Sequence, residues 1–378
     1  MIYLDNNATT PLAPEVAEAI CEVLTRHFGN PSSAHAAGAI ARRLVDEARE
    51  SVGAFLGVAA AREIVFTSGG TESDNWAILE ALEIDPRKKH IVTTRVEHEA
   101  VRKLCEKLER AGHEVTWIEV DEYGRLDLVH VRDALRPDTA VVSVMMANNE
   151  TGVIFPVEQI AEIVKQHSKA LFHVDAVNAA GKIPIDLNAA SVDLCSVSAH
   201  KFHGPKGIGA LFIRDGVALP PFSTGGGQEG GRRAGTEAVH QIVGMAEAAK
   251  FASDLSSMDS VRSLRDELET RLLNVVPGSY VNGDRGGRIP NTSNISFEGL
   301  NGEMLLHRLD ERGVCVSTGS ACHSDLHASS PVLKAMNVPF KRAMGSIRFS
   351  LSRFNRREEI ESTVDIVSEE VVRLRAMS

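Results

Sequence analysis

Lys201 lies in Ser198-Ala199-His200-Lys201-Phe202-His203-Gly204-Pro205, directly after an apolar run that ends at Val197. A lysine just past a buried strand is placed where its amine can be desolvated. Desolvation disfavours the ammonium form and frees a nucleophile, so the segment suits an imine to an aldehyde cofactor. Ser198 and His200 add donors suited to a phosphate, and Gly204-Pro205 turns the chain at once. Cys322, far downstream, lies in Ser317-Thr318-Gly319-Ser320-Ala321-Cys322-His323-Ser324. Small residues around it read as an exposed loop that can bring a thiol to its target. Attack needs the thiolate, and a free cysteine has a pKa of about 8.5. His323 or His327 is suited to lower that value or to carry the proton. Cys315, in Val314-Cys315-Val316, reads as a buried and inert strand residue.

Other residue types answer to these two. Asp175 ends the run Ala170-Leu171-Phe172-His173-Val174. A carboxylate at a buried strand end needs a cationic partner; a protonated pyridine nitrogen would serve, and an Asp that merely starts a turn is the plainer alternative. Ser68-Gly69-Gly70-Thr71 joins a strand to a helix, where free N–H groups and the helix dipole suit a phosphate, although Thr71 could simply cap the helix. His98 stands between a strand and a helix, as an active-site base or as a cap. Asn149, in Asn148-Asn149-Glu150-Thr151-Gly152, belongs to a turn or meets a ligand through its amide. Arg348 alternates with apolar neighbours in Ser346-Ile347-Arg348-Phe349-Ser350, so it needs an anion. A substrate carboxylate fits its fork, and so does an internal salt bridge. Cys322, His323 and His327 could ligate a metal, but no Cys-x-x-Cys pair exists and no metal is expected. An ATP-type P-loop and a dinucleotide fingerprint are both missing.

These residues must be positioned by alternating elements. Apolar spacing predicts helices over 13–28 and 36–56, a strand at 64–66, a helix over 72–83, a strand at 90–94 and a helix over 99–111. Strands at 115–120 and 140–146, a helix over 157–168 and strands at 170–174, 192–197 and 208–213 follow. The runs at 140–146 and 208–213 read as buried on both faces, as parallel strands do. The alternation implies an α/β sheet with helices on both faces. At 223–236 the chain turns glycine-rich, then helices are expected over 237–255 and 260–275, and the remainder reads as a smaller α+β unit. The expected division is a large domain over 14–256 and a small one made of 1–13 and 257–378, with the cysteine loop at about 317–331.

Composition narrows the function class. The 378 residues carry 41 Lys and Arg against 51 Asp and Glu, a net charge of −10, with no basic tract. Nucleic acid is therefore not an expected partner. No apolar run approaches the roughly 18–20 residues of a membrane span, and the N-terminus carries no signal stretch. The five cysteines are odd in number and widely spaced, which suits reduced thiols. The expectation is a soluble, cytoplasmic protein.

Taken in order, the motifs resemble those of the pyridoxal-phosphate cysteine desulfurases of aminotransferase class V, the nitrogen-fixation and iron–sulfur group in particular. The resemblance runs from Tyr3-Leu4-Asp5-Asn6-Asn7-Ala8-Thr9-Thr10, through Phe28-Gly29-Asn30-Pro31-Ser32-Ser33, Thr71-Glu72-Ser73-Asp74-Asn75, Asn148-Asn149-Glu150-Thr151-Gly152 and Arg233-Ala234-Gly235-Thr236-Glu237, to Arg348-Phe349-Ser350-Leu351. It implies the fold type I architecture of pyridoxal-phosphate transferases: a large, mainly parallel sheet domain with a smaller α+β domain. It implies pyridoxal 5'-phosphate on Lys201, Asp175 against the pyridine nitrogen, and His98 stacked on the ring and serving in acid–base steps. The phosphate would be held by Gly70, Thr71, Ser198 and His200, and by Thr236 from the other subunit of a homodimer. Asn149 and Arg348 would hold the carboxylate of L-cysteine. Cys322 would take the sulfur as a persulfide, leaving alanine, and pass it to an acceptor such as an iron–sulfur scaffold protein. Many relatives have glutamine where this chain has Asn178, which is expected at the cofactor's phenolic oxygen. The segment after Cys322 lacks the usual Leu-Glu-Pro-Ser pattern. A selenocysteine lyase on the same fold is the alternative; an aminotransferase, a kynureninase-like hydrolase or a non-catalytic scaffold accounts less well for Cys322, Lys201 and Asp175 together.

Overall fold

The computed structural model describes residues 1–318 and 330–377. Its strands are β1 (Ile2–Tyr3), β2 (Ile64–Thr67), β3 (His90–Thr94), β4 (Glu114–Ile118), β5 (Thr139–Met145), β6 (Leu171–Asp175), β7 (Leu194–Ser198), β8 (Gly209–Ile213), β9 (Ser279–Asn282), β10 (Thr292–Phe297), β11 (Val314–Cys315) and β12 (Ser346–Ser350). The helices of the first half are α1 (Pro14–Arg26), α2 (Ala36–Phe55), α3 (Gly70–Ile84), α4 (Glu99–Arg110), α5 (Leu128–Asp133) and α6 (Val157–His167). Those of the second are α7 (Val239–Ser253), α8 (Met258–Val275), α9 (Gly302–Glu311), α10 (Pro331–Ala335), α11 (Phe340–Ala343) and α12 (Arg357–Arg375).

Seven strands form the main sheet in the order β2-β8-β7-β6-β5-β3-β4. The five from β7 to β4 run parallel, and each is reached through helical or long crossovers, as parallel pairing requires. The expectation that 208–213 is another parallel strand is corrected: β8 is antiparallel to both β7 and β2. The cause is the connection. Only residues 199–208 separate β7 from β8, the turn contains Gly204-Pro205 and Gly207, and no crossover helix fits in it. A strand buried on both faces says nothing of its direction.

The sheet order brings the carboxyl ends of β2, β3, β5, β6 and β7 to one edge. In open α/β sheets that edge is where ligands bind. A second, three-stranded antiparallel sheet has the order β12-β10-β9. Its apolar side packs with α8, α9 and α12 in a cluster that includes Leu4, Leu268, Leu305, Ile347, Phe349 and Val371. Ile289, Val332, Leu333, Met336 and Ala343 belong instead to the apolar cluster of the main sheet. The N-terminal segment crosses between the two: Asn6 donates to the Ser350 carbonyl (2.9 Å), and the Asn7 amide donates to Thr292 Oγ1 (2.8 Å) and the Asn149 carbonyl (3.1 Å). No helix among the described residues is long and apolar enough to cross a membrane.

Candidate active site

A cavity of about 330 Å³ opens at the carboxyl edge of the main sheet. Ten of the expected site residues line it: Gly70, Thr71, His98, Asn149, Asp175, Asn178, Ser198, His200, Lys201 and Arg348. Nine of them arrive by the same device, a strand that ends in a polar turn. β2 delivers Gly70 and Thr71, β3 delivers His98, β5 delivers Asn149, β6 delivers Asp175 and Asn178, and β7 delivers Ser198, His200 and Lys201. Arg348 comes from β12, in the second sheet.

Gly70 opens α3, so the first N–H groups of a 15-residue helix lie at the cavity wall beside Ser198. The helix starts two residues before the apolar spacing predicts, because Gly69 and Gly70 carry no side chain to mark it. A β-carbon at position 70 would meet Val177 Cγ2 at 2.6 Å, so the close approach of this turn to the β6 turn needs glycine. His200 completes this end; burial first, then the nearby Lys201, pulls its imidazole down to about 4, which keeps it neutral. Its Nδ1 lies 3.2 Å from Thr9 Oγ1. A helix N-terminus with a buried hydroxyl and a neutral imidazole is a donor set for an anion.

Asp175 is buried, and its Oδ1 accepts from Val177 N at 2.9 Å. Burial raises its pKa, while His98 and Lys201 pull the other way. Such a carboxyl is ready to ionise against a cation that enters the cavity. His98 caps α4, its Nδ1 accepting from Ala100 N at 3.1 Å, so the alternatives of cap and cavity residue are both true of it. That bond puts the neutral ring's proton on Nε2, and burial, with Asp175 opposing it, lowers the imidazole's pKa. Lys201 ends a one-turn helix, Ala199–Lys201; its Nζ donates to the carbonyls of Asn7 (2.5 Å) and Ala8 (3.1 Å).

Arg348 makes the internal salt bridge and also reaches the cavity wall. Its Nη2 pairs with Asp5 Oδ1 at 2.7 Å and its Nη1 donates to the Asn149 carbonyl at 3.0 Å, yet it lines the cavity and its buried Nε has no partner among the described residues. Thr236 is exposed and does not line this cavity. Cys322 lies outside the described residues, together with the rest of 319–329. Of the other cysteines, Cys105 and Cys195 are buried with thiols pushed up by burial, Cys105 to about 12, and burial also raises the half-buried Cys315.

Sequence reasoning missed four features of the site. Asn7 and Ala8 line it and receive the Lys201 amine. Asp74, one turn into α3, also lines it, with a buried Oδ1 that has no hydrogen-bond partner among the described residues; burial first, then Asp175, pushes its pKa well up. Asn148 shapes the turn that carries Asn149, its Oδ1 accepting from Glu150 N and Thr151 N. Lys182 is buried behind Asn178. Asp74 was within reach of sequence reasoning, since an acid among apolar helix neighbours needs an account.

The residues fit pyridoxal phosphate on their own chemistry. An anion site, a buried carboxyl for a ring nitrogen and an amine share one cavity, whose volume is at the lower end of the ~300–1,000 Å³ of small-molecule sites.

Residues 2–363 match the aminotransferase class-V family. A cysteine desulfurase of Cereibacter sphaeroides is 50% identical over 378 residues, which is all of this chain and 97% of that protein. One from Trichormus azollae is 49% identical over 382 residues, covering all of this chain and 94% of the relative. The solved structure of a NifS-like protein superposes with a TM-score of 0.93 at 40% identity, covering 99% of this chain and all of the other. The chain belongs to the aminotransferase class-V family, and within it to the cysteine desulfurases.

Proposed function

We propose that the chain converts L-cysteine to L-alanine and moves the sulfur, as a Cys322 persulfide, to an acceptor such as an iron–sulfur scaffold protein. Members of this family generally work with pyridoxal 5'-phosphate. The observation that carries the reading is the meeting of Lys201, Asp175 and the α3 N-terminus in one cavity that Arg348 also enters.

Lys201 is the residue to hold the cofactor covalently, Asp175 to pair with its ring nitrogen, and Gly70, Thr71, Ser198 and His200 to hold its phosphate. When bound, the cofactor supplies an electron sink for the pair released at the substrate's α-carbon. Arg348, with Asn149 beside it, binds the substrate carboxylate and fixes the α-carbon over the cavity. Lys201 Nζ is also the group that would carry the α-proton. His98 Nε2 faces the same space as the second proton carrier and closes it against water. Cys322 Sγ attacks the substrate sulfur: an S–S bond forms as the carbon–sulfur bond breaks, and the carbon is protonated to give alanine. A nucleophile held in line and brought by a loop lowers the entropic part of the barrier.

Thr236 is the residue to complete the phosphate site of a neighbouring subunit, which makes the active unit a two-fold dimer. The thiol chemistry belongs in a reducing compartment, and we place it in the cytoplasm. The test is incubation of purified protein with L-cysteine and a reductant, measuring alanine and sulfide together. Equimolar release is expected. Release of selenide from selenocysteine without sulfide from cysteine would give the selenocysteine lyase instead, and release of neither would refute the proposal.

A further inference from the structure

A buried lysine stands behind the site, unassigned by the reading above. Lys182 is only 7% exposed, and among the described residues no carboxylate pairs with it. An ammonium group in such a place is costly unless its donors are satisfied. Its Nζ donates to two oxygens of one residue, the Asn178 carbonyl at 2.7 Å and Asn178 Oδ1 at 3.3 Å. The other end of that side chain is held too: Asn178 Nδ2 donates to the Asn148 carbonyl at 3.2 Å. Asn178 is itself buried and lines the cavity.

These contacts decide which end of the amide is which. A primary amide has one acceptor oxygen and two N–H donors. Lys182 takes the oxygen and Asn148 takes one N–H, so the group left for a ligand is the second N–H. A flipped amide would set an N–H against the Lys182 ammonium, two donors face to face.

We propose that Lys182 is a positioning residue: it locks the Asn178 amide so that the remaining Nδ2–H is offered to a hydrogen-bond acceptor on the bound cofactor, its ring oxygen. The proposal rests on the pyridoxal-phosphate reading of the site. It also accounts for a short side chain serving at this place, because an amide held at both ends loses little freedom when it bonds a ligand. Burial first, then the positive charges of Lys201 and Arg348, brings the Lys182 amine down to about 7, so the donor-only ammonium that fixes the amide is the form present below that pH.

The test is titration of pyridoxal phosphate into apoprotein, read by absorbance and by protein fluorescence, with melting of each apoprotein as the fold control. Lys182→Met should bind about tenfold more weakly, ~1.4 kcal/mol, with a displaced visible band. Lys182→Arg, which keeps a cationic head with donors only, should restore binding to within about threefold of wild type. Asn178→Ala should weaken binding at least as much as Lys182→Met, and Asn178→Ala with Lys182→Met should be no weaker than Asn178→Ala alone. Additive losses, or a Lys182→Met protein that binds within twofold of wild type, would overturn the proposal. So would an Asn178→Ala protein that binds like wild type, however Lys182→Met folds. Wild-type protein that takes up no pyridoxal phosphate would refute the functional reading itself, a different result from wild-type binding with unaltered variants.

Discussion

Arg348→Ala offers the most direct test of the substrate end of the site. The guanidinium already has two protein contacts, Asp5 at 2.7 Å and the Asn149 carbonyl at 3.0 Å, and its buried Nε is unsatisfied among the described residues. It is therefore held in place before substrate arrives, and little freedom is lost on binding. A hydrogen bond to a charged group contributes about 1.5–3 kcal/mol. Removing the one made to the substrate carboxylate should lower kcat/KM by about 10- to 150-fold. The loss should fall on KM, because the carboxylate is bound alike in ground and transition states, with kcat changed by no more than a few-fold. The assay is initial alanine formation against L-cysteine concentration, with cofactor content measured on the same sample. Arg348→Lys keeps a charge but not the fork, so it should fall between the two. Asp5→Asn removes one of the two contacts that hold the guanidinium in place, so KM for cysteine should rise, by less than in Arg348→Ala. An Arg348→Ala enzyme with full cofactor and a KM within twofold of wild type would refute the reasoning. Loss of cofactor in step with activity would assign Arg348 to holding β12 against Asp5 instead.

Three further outcomes are expected. Lys201→Ala should lose the visible band of the bound cofactor and ~10²–10⁴-fold or more of alanine formation, the scale of a lost proton carrier; a retained band would reject the lysine. Cys322→Ala should bind cofactor and L-cysteine yet release almost no sulfide, while Cys315→Ala stays active; the reverse pattern would move the nucleophile to Cys315. Glu97 should make the apoprotein less stable as pH rises. Its Oε1 accepts from Thr94 Oγ1 and Met145 N, its buried Oε2 has no partner among the described residues, and burial pushes its pKa to about 8. The folded state thus keeps a proton that the unfolded chain releases near pH 4.3, and stability falls by up to ~1.4 kcal/mol per pH unit between those values. Glu97→Gln should remove that slope, so its melting temperature should gain on the wild type from pH 5 to pH 8. Parallel curves would show that Glu97 is ionised in the fold.

Much of the site was legible because it is built from strand ends. Lys201 and Asp175 each follow an apolar run, and a charged residue at such a place stands out in the sequence. Strand direction was not legible: the apolar pattern of 208–213 is the same whether the strand runs with β7 or against it, and only the length of the connection decides. The Arg348–Asp5 pair was foreseen as a type of contact but not by partner, since the two residues lie at opposite ends of the chain and nothing local links them. Lys182 was missed for another reason. A lysine before Ile183-Pro184 reads as surface, and its burial follows from the packing of a turn whose course the local sequence does not reveal.

The seating of the N-terminal segment sets the order in which this protein can be completed. Asn7 and Ala8 supply the carbonyls that receive the Lys201 amine, and Asn7 is held by Ser350, Thr292 and Asn149. On a ribosome Asn7 emerges 343 residues ahead of its partner Ser350 in β12. The main sheet, complete once β8 is out, can form while synthesis continues, since domains fold as units from the N-terminal side. The lysine pocket cannot close until Ser350 has left the exit tunnel, because contacts of such long sequence separation form late. A chain stalled before residue 350 would carry a folded sheet with an unfinished lysine pocket.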